Sequence, residues 1–150
     1  WVDVYLTDFK FMDIHLSRRY AHEEGYSFYA TKALEEMFRQ TGTPVFDEDG
    51  MMKKGIIVRH MVLPGQSMDS RKIIDYLYET YGDQVYISLM NQYTPSGPLE
   101  KYPELNQKVK TKVYERLVQY MIRKGVENAF VQEGQTAEES FIPDFDGEGV

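Results

Sequence analysis

The sequence predicts an α/β fold: a partial (β/α) barrel of about four parallel strands alternating with helices, with a small hairpin insertion. Three observations lead there. Short runs rich in β-branched and aromatic residues recur along the chain, near 2–7, 55–63, 84–90 and 128–132. Helical stretches of three to four turns, each with one apolar stripe, separate them. The strongest run, 55–63, is apolar on both faces, which predicts burial on both sides as in a parallel sheet. Strands joined through helices call for crossovers, and those are right-handed.

The elements follow in order. The run 2–7 opens the chain abruptly, without an initiator methionine, which is the expectation for a fragment of something longer. Asp13 can cap a short helical turn reaching Arg19. In 27–40 the residues Ala30, Ala33, Leu34, Met37 and Phe38 recur at i, i+3, i+4, i+7 and i+8, the spacing of one buried helix face. Gly42 and Pro44 stop that helix. Val45-Phe46, the turn Asp47-Glu48-Asp49-Gly50 and Met51-Met52 predict a hairpin. After the strand 55–63 comes Pro64-Gly65, then a helix over 69–81 with Ile74, Leu77, Tyr78 and Tyr81 as its stripe. The stretch 91–104 holds three prolines and Gly97 and predicts a loop. A helix over 110–124 carries Val113, Leu117, Tyr120 and Met121. The last strand, 128–132, precedes an acidic tail (134–150), in which Phe141, Ile142 and Phe145 can fold back on the body. Residues 1–150 form a single unit in this reading.

The 150 residues suit one core, and 14% aromatic content fits a packed globule. A net charge of -7 offers no basic field for phosphate, so nucleic acid is not an expected partner. No apolar run approaches the roughly 18 residues of a membrane helix, and no secretory leader is seen. A cytoplasmic protein without membrane association is the natural expectation. The chain has no cysteine. Disulfides, thiolate zinc sites, cysteine nucleophiles and an iron–sulfur cluster held by its own thiolates are therefore excluded.

Ligands of α/β folds collect beyond the carboxyl ends of the parallel strands, so the residues there are read for chemistry. The first strand ends in Thr7-Asp8-Phe9-Lys10, and Asp8 and Lys10, two apart, share a side. They can hold a zwitterionic or hydroxyl-bearing ligand, or form an ion pair at a strand end. Arg59 lies in an apolar run and needs an acidic partner, Asp8 or another, or a ligand. Alternation places Arg59, Met61 and Leu63 on one side of the strand and Val58, His60 and Val62 on the other. His60 reads as a satisfied strand histidine, and His15 and His22 form no metal spacing with it. Asn91, Gln92 and Tyr93 stand at the third strand's end as neutral hydrogen-bonding groups. Glu133 is the carboxylate at the fourth. No phosphate loop or catalytic triad signature is present.

The segments 2–13, 57–65, Ile87-Ser88-Leu89-Met90-Asn91-Gln92-Tyr93-Thr94-Pro95 and 141–146 together resemble the later strands of radical S-adenosylmethionine proteins related to pyruvate formate-lyase activating enzyme. The likeness runs along almost the whole chain. It implies a partial β/α barrel whose 4Fe-4S cluster is held by a Cys-x3-Cys-x2-Cys motif. The open iron of that cluster binds S-adenosylmethionine, and one-electron reduction yields a 5′-deoxyadenosyl radical. Activating enzymes use the radical to install a glycyl radical on a partner enzyme.

By this resemblance the chain is the carboxyl-terminal half of such an oxidoreductase, and the motif that binds the cluster belongs to a missing amino-terminal barrel half. Asp8 and Lys10 match the Asp-x-Lys pair near the cofactor's ribose and carboxylate. Arg59 matches the arginine of the strand ending in Pro-Gly, and Met61 the apolar position near the adenine. Where the family usually shows a histidine, this sequence has Asn91-Gln92-Tyr93, with Gln92 the substitute and Tyr93 the other candidate. The resemblance implies no catalytic or metal-ligating residue here, neither cofactor held by this fragment alone, and a fragment that is silent by itself and self-associates through its exposed strand edges. The contrasting reading is a stand-alone, non-catalytic α/β binding or interaction module.

Overall fold

Four strands lie side by side in chain order and run parallel: β1 (Val4–Asp8), β3 (Met52–Met61), β4 (Tyr86–Met90) and β5 (Ala129–Gln132). Two short strands add antiparallel pairs, β2 (Val45–Phe46) on β3 and β6 (Glu139–Phe141) on β5. The connections carry α1 (Ile14–Ala21) and α2 (Tyr26–Thr41), then α3 (Ser67–Tyr81), then α4 (Thr111–Lys124). This arrangement comes from a computed structural model that describes residues 3–93, 101–132 and 139–141. The fold is thus mixed α/β around a four-stranded parallel sheet, and the described residues do not close a barrel.

One sheet face makes the core. Ile56, Val58 and Val62 of the β3 run, Ile87 and Leu89 of β4, and Ala129 and Val131 of β5 are buried against Leu34 of α2, Ile73, Ile74 and Leu77 of α3, and Leu117 and Met121 of α4. Each of these side chains larger than alanine stabilises the fold by about 1.5–3 kcal/mol relative to exposure. All three long helices pack on this face, as right-handed crossovers between strands taken in sequence order require.

The other face departs from the sequence expectation. On the other side of the run 55–63 burial is only partial: Ile57, Arg59, Met61 and Leu63 are part-exposed, and Leu6 of β1 is 59% exposed, while Tyr86 and Ser88 on the same face are buried. No described helix packs there. Register partners share a face, so Asp8, Arg59, Ser88 and Phe130 form one row across the four strands. Near the amino ends of the strands Tyr86 meets Phe46 and Phe130, each with ring centroids 5.8 Å away.

Local chemistry explains the connections. Asp13 caps α1 by accepting the His15 N–H at 2.7 Å. The hairpin turn is held by the Asp47 carboxylate, which accepts the amides of Asp49 and Met51, both at 2.9 Å. Gly55 sits where β3 passes from pairing with β2 to pairing with β1. Its φ is +146°, and a Cβ there would lie 2.9 Å from the Met52 sulfur. Helix α3 begins two residues before its expected start, and the buried α4 stripe includes Tyr114, which the sequence pattern missed.

Strand β6 lies in what the sequence reading left as tail, with Phe141 paired opposite Phe130. Ile142, Phe145 and Glu133, like residues 94–100 of the expected loop, lie outside the described residues. Among the described residues no helix is long and apolar enough to cross a membrane.

Candidate functional site

The helix-free face ends in a cleft at the carboxyl tips of β1 and β3. It measures about 310 Å³ and is lined by Asp8, Phe9, Lys10, Phe11, Arg59, Met61, Leu63 and Met90. Four of the residues singled out from the sequence, Asp8, Lys10, Arg59 and Met61, are therefore brought together. Their spacing explains it: Asp8 and Lys10 alternate on one chain, Arg59 and Met61 on the next, and the β1–β3 register sets Asp8 opposite Arg59.

Asp8 and Arg59 satisfy each other. Arg59 Nε donates to Asp8 Oδ1 at 2.7 Å, with the side chains 42% and 40% exposed. The partner that Arg59 needs is thus Asp8, one of the acids the sequence offered. Charge and wall are complementary: a carboxylate, an ammonium and a guanidinium stand over Met61, Leu63 and Met90.

Gln92 and Tyr93 do not line this cleft. Gln92 is exposed, and the Tyr93 hydroxyl donates to the Leu105 carbonyl at 2.7 Å. The Asn91 backbone N–H donates to Oε1 of Gln132 at the tip of β5. These contacts tie the tip of β4 to β5 and to Leu105.

The loop that carries Asp8 and Lys10 is fixed from beneath by His60, which is the satisfied strand histidine expected from the sequence, and by groups the sequence reading left unassigned. Phe9 N–H donates to the Arg59 carbonyl at 2.8 Å, which continues the β1–β3 ladder. His60 lies on the buried face, 4% exposed, with Nδ1 2.8 Å from the Phe9 carbonyl and Nε2 2.7 Å from Ser70 Oγ. A carbonyl only accepts, so Nδ1 carries the proton and Nε2 accepts from Ser70. Burial pushes the imidazole down to about 4, opposed by its bond to Phe9, and the ring is neutral near pH 7.

Asp69, in the first turn of α3, turns its carboxylate onto the amides of Met12 and Asp13, at 3.0 and 2.7 Å. Burial raises its pKa, against the opposing pull of those two amides. Lys10 N–H donates to the Tyr26 hydroxyl at 2.8 Å, and Phe11 packs between Tyr20 and Tyr26. Farther out, Arg19 grips Glu104 with Nε at 2.9 Å and Nη2 at 3.1 Å, and this pair, with the Tyr20 hydroxyl, holds the Glu104 carboxyl down near 2. The sequence signal for this support was the Pro-Gly turn before Asp69-Ser70, which fixes where α3 starts.

Among the described residues no three of His, Cys, Asp and Glu converge as a metal site.

The comparisons with known proteins are few. No family model matches the chain. The uncharacterised protein MJ0674 of Methanocaldococcus jannaschii is 28% identical over 109 residues, which are 72% of this chain. The matched stretch spans 28% of the length of that relative. No solved structure matches.

Proposed function

We propose that the chain is the carboxyl-terminal barrel portion of a radical S-adenosylmethionine protein of the activating type, and that the β1–β3 cleft is part of its S-adenosylmethionine cradle. The observation that carries this reading is the meeting of Asp8, Lys10, Arg59 and Met61 at neighbouring parallel strand tips, on the face the helices leave free. Strands in chain order with helices on one face also suit a segment of a barrel, whose interior would be that free face.

The residues fit the nucleoside. Asp8 is suited to accept from ribose hydroxyls, with Arg59 holding its carboxylate in place. The Lys10 ammonium suits the ligand's carboxylate, and Met61, Leu63 and Met90 offer an apolar wall for the adenine. S-adenosylmethionine, when bound, supplies a sulfonium centre for reductive cleavage. The residues do not fit a 4Fe-4S cluster, because the chain has no cysteine. Electron delivery therefore belongs to another part of the protein, and the role left to this chain is binding, orientation and charge. In this reading its partners are the cluster-bearing barrel half and a protein substrate of the glycyl radical enzyme type.

Calorimetry of S-adenosylmethionine on the full-length gene product tests the reading. Asp8→Ala and Lys10→Ala, each checked for an unchanged melting curve, should weaken binding about ten-fold or more, the loss expected for a hydrogen bond to a charged group. Unchanged affinity in both variants would remove the assignment.

A further inference from the structure

Beyond the cleft just described, strands β4 and β5 part at their carboxyl ends. Their ladder holds at Ile87–Ala129 and Ser88–Phe130. Past it the Tyr114 hydroxyl bridges the gap, donating to the Leu89 carbonyl at 2.5 Å and accepting the Gln132 N–H at 2.8 Å. The Gln132 side chain spans the same gap, its Oε1 accepting the Asn91 backbone N–H. An N–H can only donate, so that bond fixes the amide's orientation and leaves Nε2 as a donor. Gln132 is 6% exposed, and among the described residues Nε2 has no hydrogen-bond partner. Buried polar groups are otherwise paired almost without exception, so a donor left alone here calls for an acceptor.

Gln132 also lines a cleft of about 220 Å³ between α4 and β5, on the far side of β4 from Asp8 and Arg59. Val118 and Val131 give it apolar walls, Glu115 contributes a carboxylate, and Thr111 and Gln119 are exposed on α4. Among the described residues no cationic side chain lines it. An anion would meet Glu115 uncompensated, and a cation would meet the Gln132 donor. A neutral group carrying both an acceptor and a donor satisfies both, and an amide is such a group with apolar flanks.

We propose that this cleft is a binding subsite for a neutral amide, in which Gln132 Nε2 donates to the carbonyl and Glu115 accepts the amide N–H. The amide can come from a peptide backbone or from a small carboxamide, and the probes below separate the two.

The experiment labels the glutamines of the 150-residue chain with ¹⁵N and follows the Gln132 side-chain NH₂ pair by NMR. The probes are N-acetylalanine methylamide, propanamide and propanoate. A saturable shift of that pair with either amide, and none with propanoate, is the expected result. Tighter binding of the methylamide assigns a peptide, and tighter binding of propanamide assigns a small carboxamide. Gln132→Glu keeps an acceptor for Asn91 and replaces the donor, so its amide affinity, followed in parent and variant alike by the side-chain NH₂ pair of Gln119 on the same cleft, should fall about ten-fold. The proposal is overturned if neither amide shifts the pair, if propanoate shifts it equally, or if Gln132→Glu binds as the parent does. The titration of the parent chain reads the proposal even if that variant fails to fold.

Discussion

Asp8 and Arg59 stand opposite each other on adjacent parallel strands, with Asp8 Oδ1 2.7 Å from Arg59 Nε and each side chain about two-fifths exposed. An ion pair that wet adds about 0–1 kcal/mol to stability. Its position at the mouth of the cleft is therefore better explained by holding a carboxylate in a fixed orientation than by holding the sheet together.

Arg59→Met should accordingly cost less than about 1 kcal/mol in urea denaturation. The same variant should weaken S-adenosylmethionine binding by the full-length product, because Asp8 loses its anchor. A stability loss of about 3 kcal/mol or more, of the size seen when a buried pair is broken, would instead make the pair structural.

His60 links stability to pH. Its folded value is about 4 against an ordinary 6.5, because burial penalises the imidazolium. Between those values this histidine binds more protons in the unfolded chain than in the folded one, so its contribution to stability falls as pH drops from about 6.5 to about 4. The full effect is about 3 kcal/mol, at 1.36 kcal/mol per pH unit. Urea melts across that window should show this slope in the parent and lose most of it in His60→Asn. An equal slope in both would mean that other groups carry the dependence.

The outer edge of β1 gives a third outcome. Asp3 O accepts the Gly55 N–H and Phe9 N–H donates to Arg59 O, so odd residues bond β3 and the backbone groups of Val4, Leu6 and Asp8 face away from it. Among the described residues no strand pairs with that edge. Unpaired edges recruit further strands. The chain by itself should associate with rising concentration in light scattering, and Leu6→Lys, which puts a charge at the centre of the edge, should return it toward monomer. A parent that stays monomeric throughout would contradict this.

Much of the fold was legible because periodicity reports burial. The α2 stripe through Leu34, the Asp13 cap and the parity of β3 all follow from local spacing, and the Arg59 side chain falls on the side that alternation assigns it. The expectation of two-sided burial for 55–63 held only in part for a physical reason: apolar residues such as Ile57 and Met61 are present on the second face and stay part-exposed, because among the described residues the helices pack on the opposite one. Tyr114 and Gln132 were illegible because their roles depend on a gap between β4 and β5 that no single strand reveals. Gln92 and Tyr93 were near the right strand tip, yet neither lines the β1–β3 cleft, and the Tyr93 hydroxyl bonds the Leu105 carbonyl instead.

The sequence by itself determined which residues sit at the strand tips and on which side of each strand they point, since alternation is a local property of the backbone. It also determined that these 150 residues supply no thiolate chemistry, since they include no cysteine. Only the tertiary structure decided that Asp8 answers Arg59, that His60 and Asp69 secure the loop beneath them, and that Gln132 keeps an unmatched donor. Those facts depend on inter-strand register and helix placement, which arise from contacts between residues about 40 to 60 positions apart, and a local pattern carries no record of such distances.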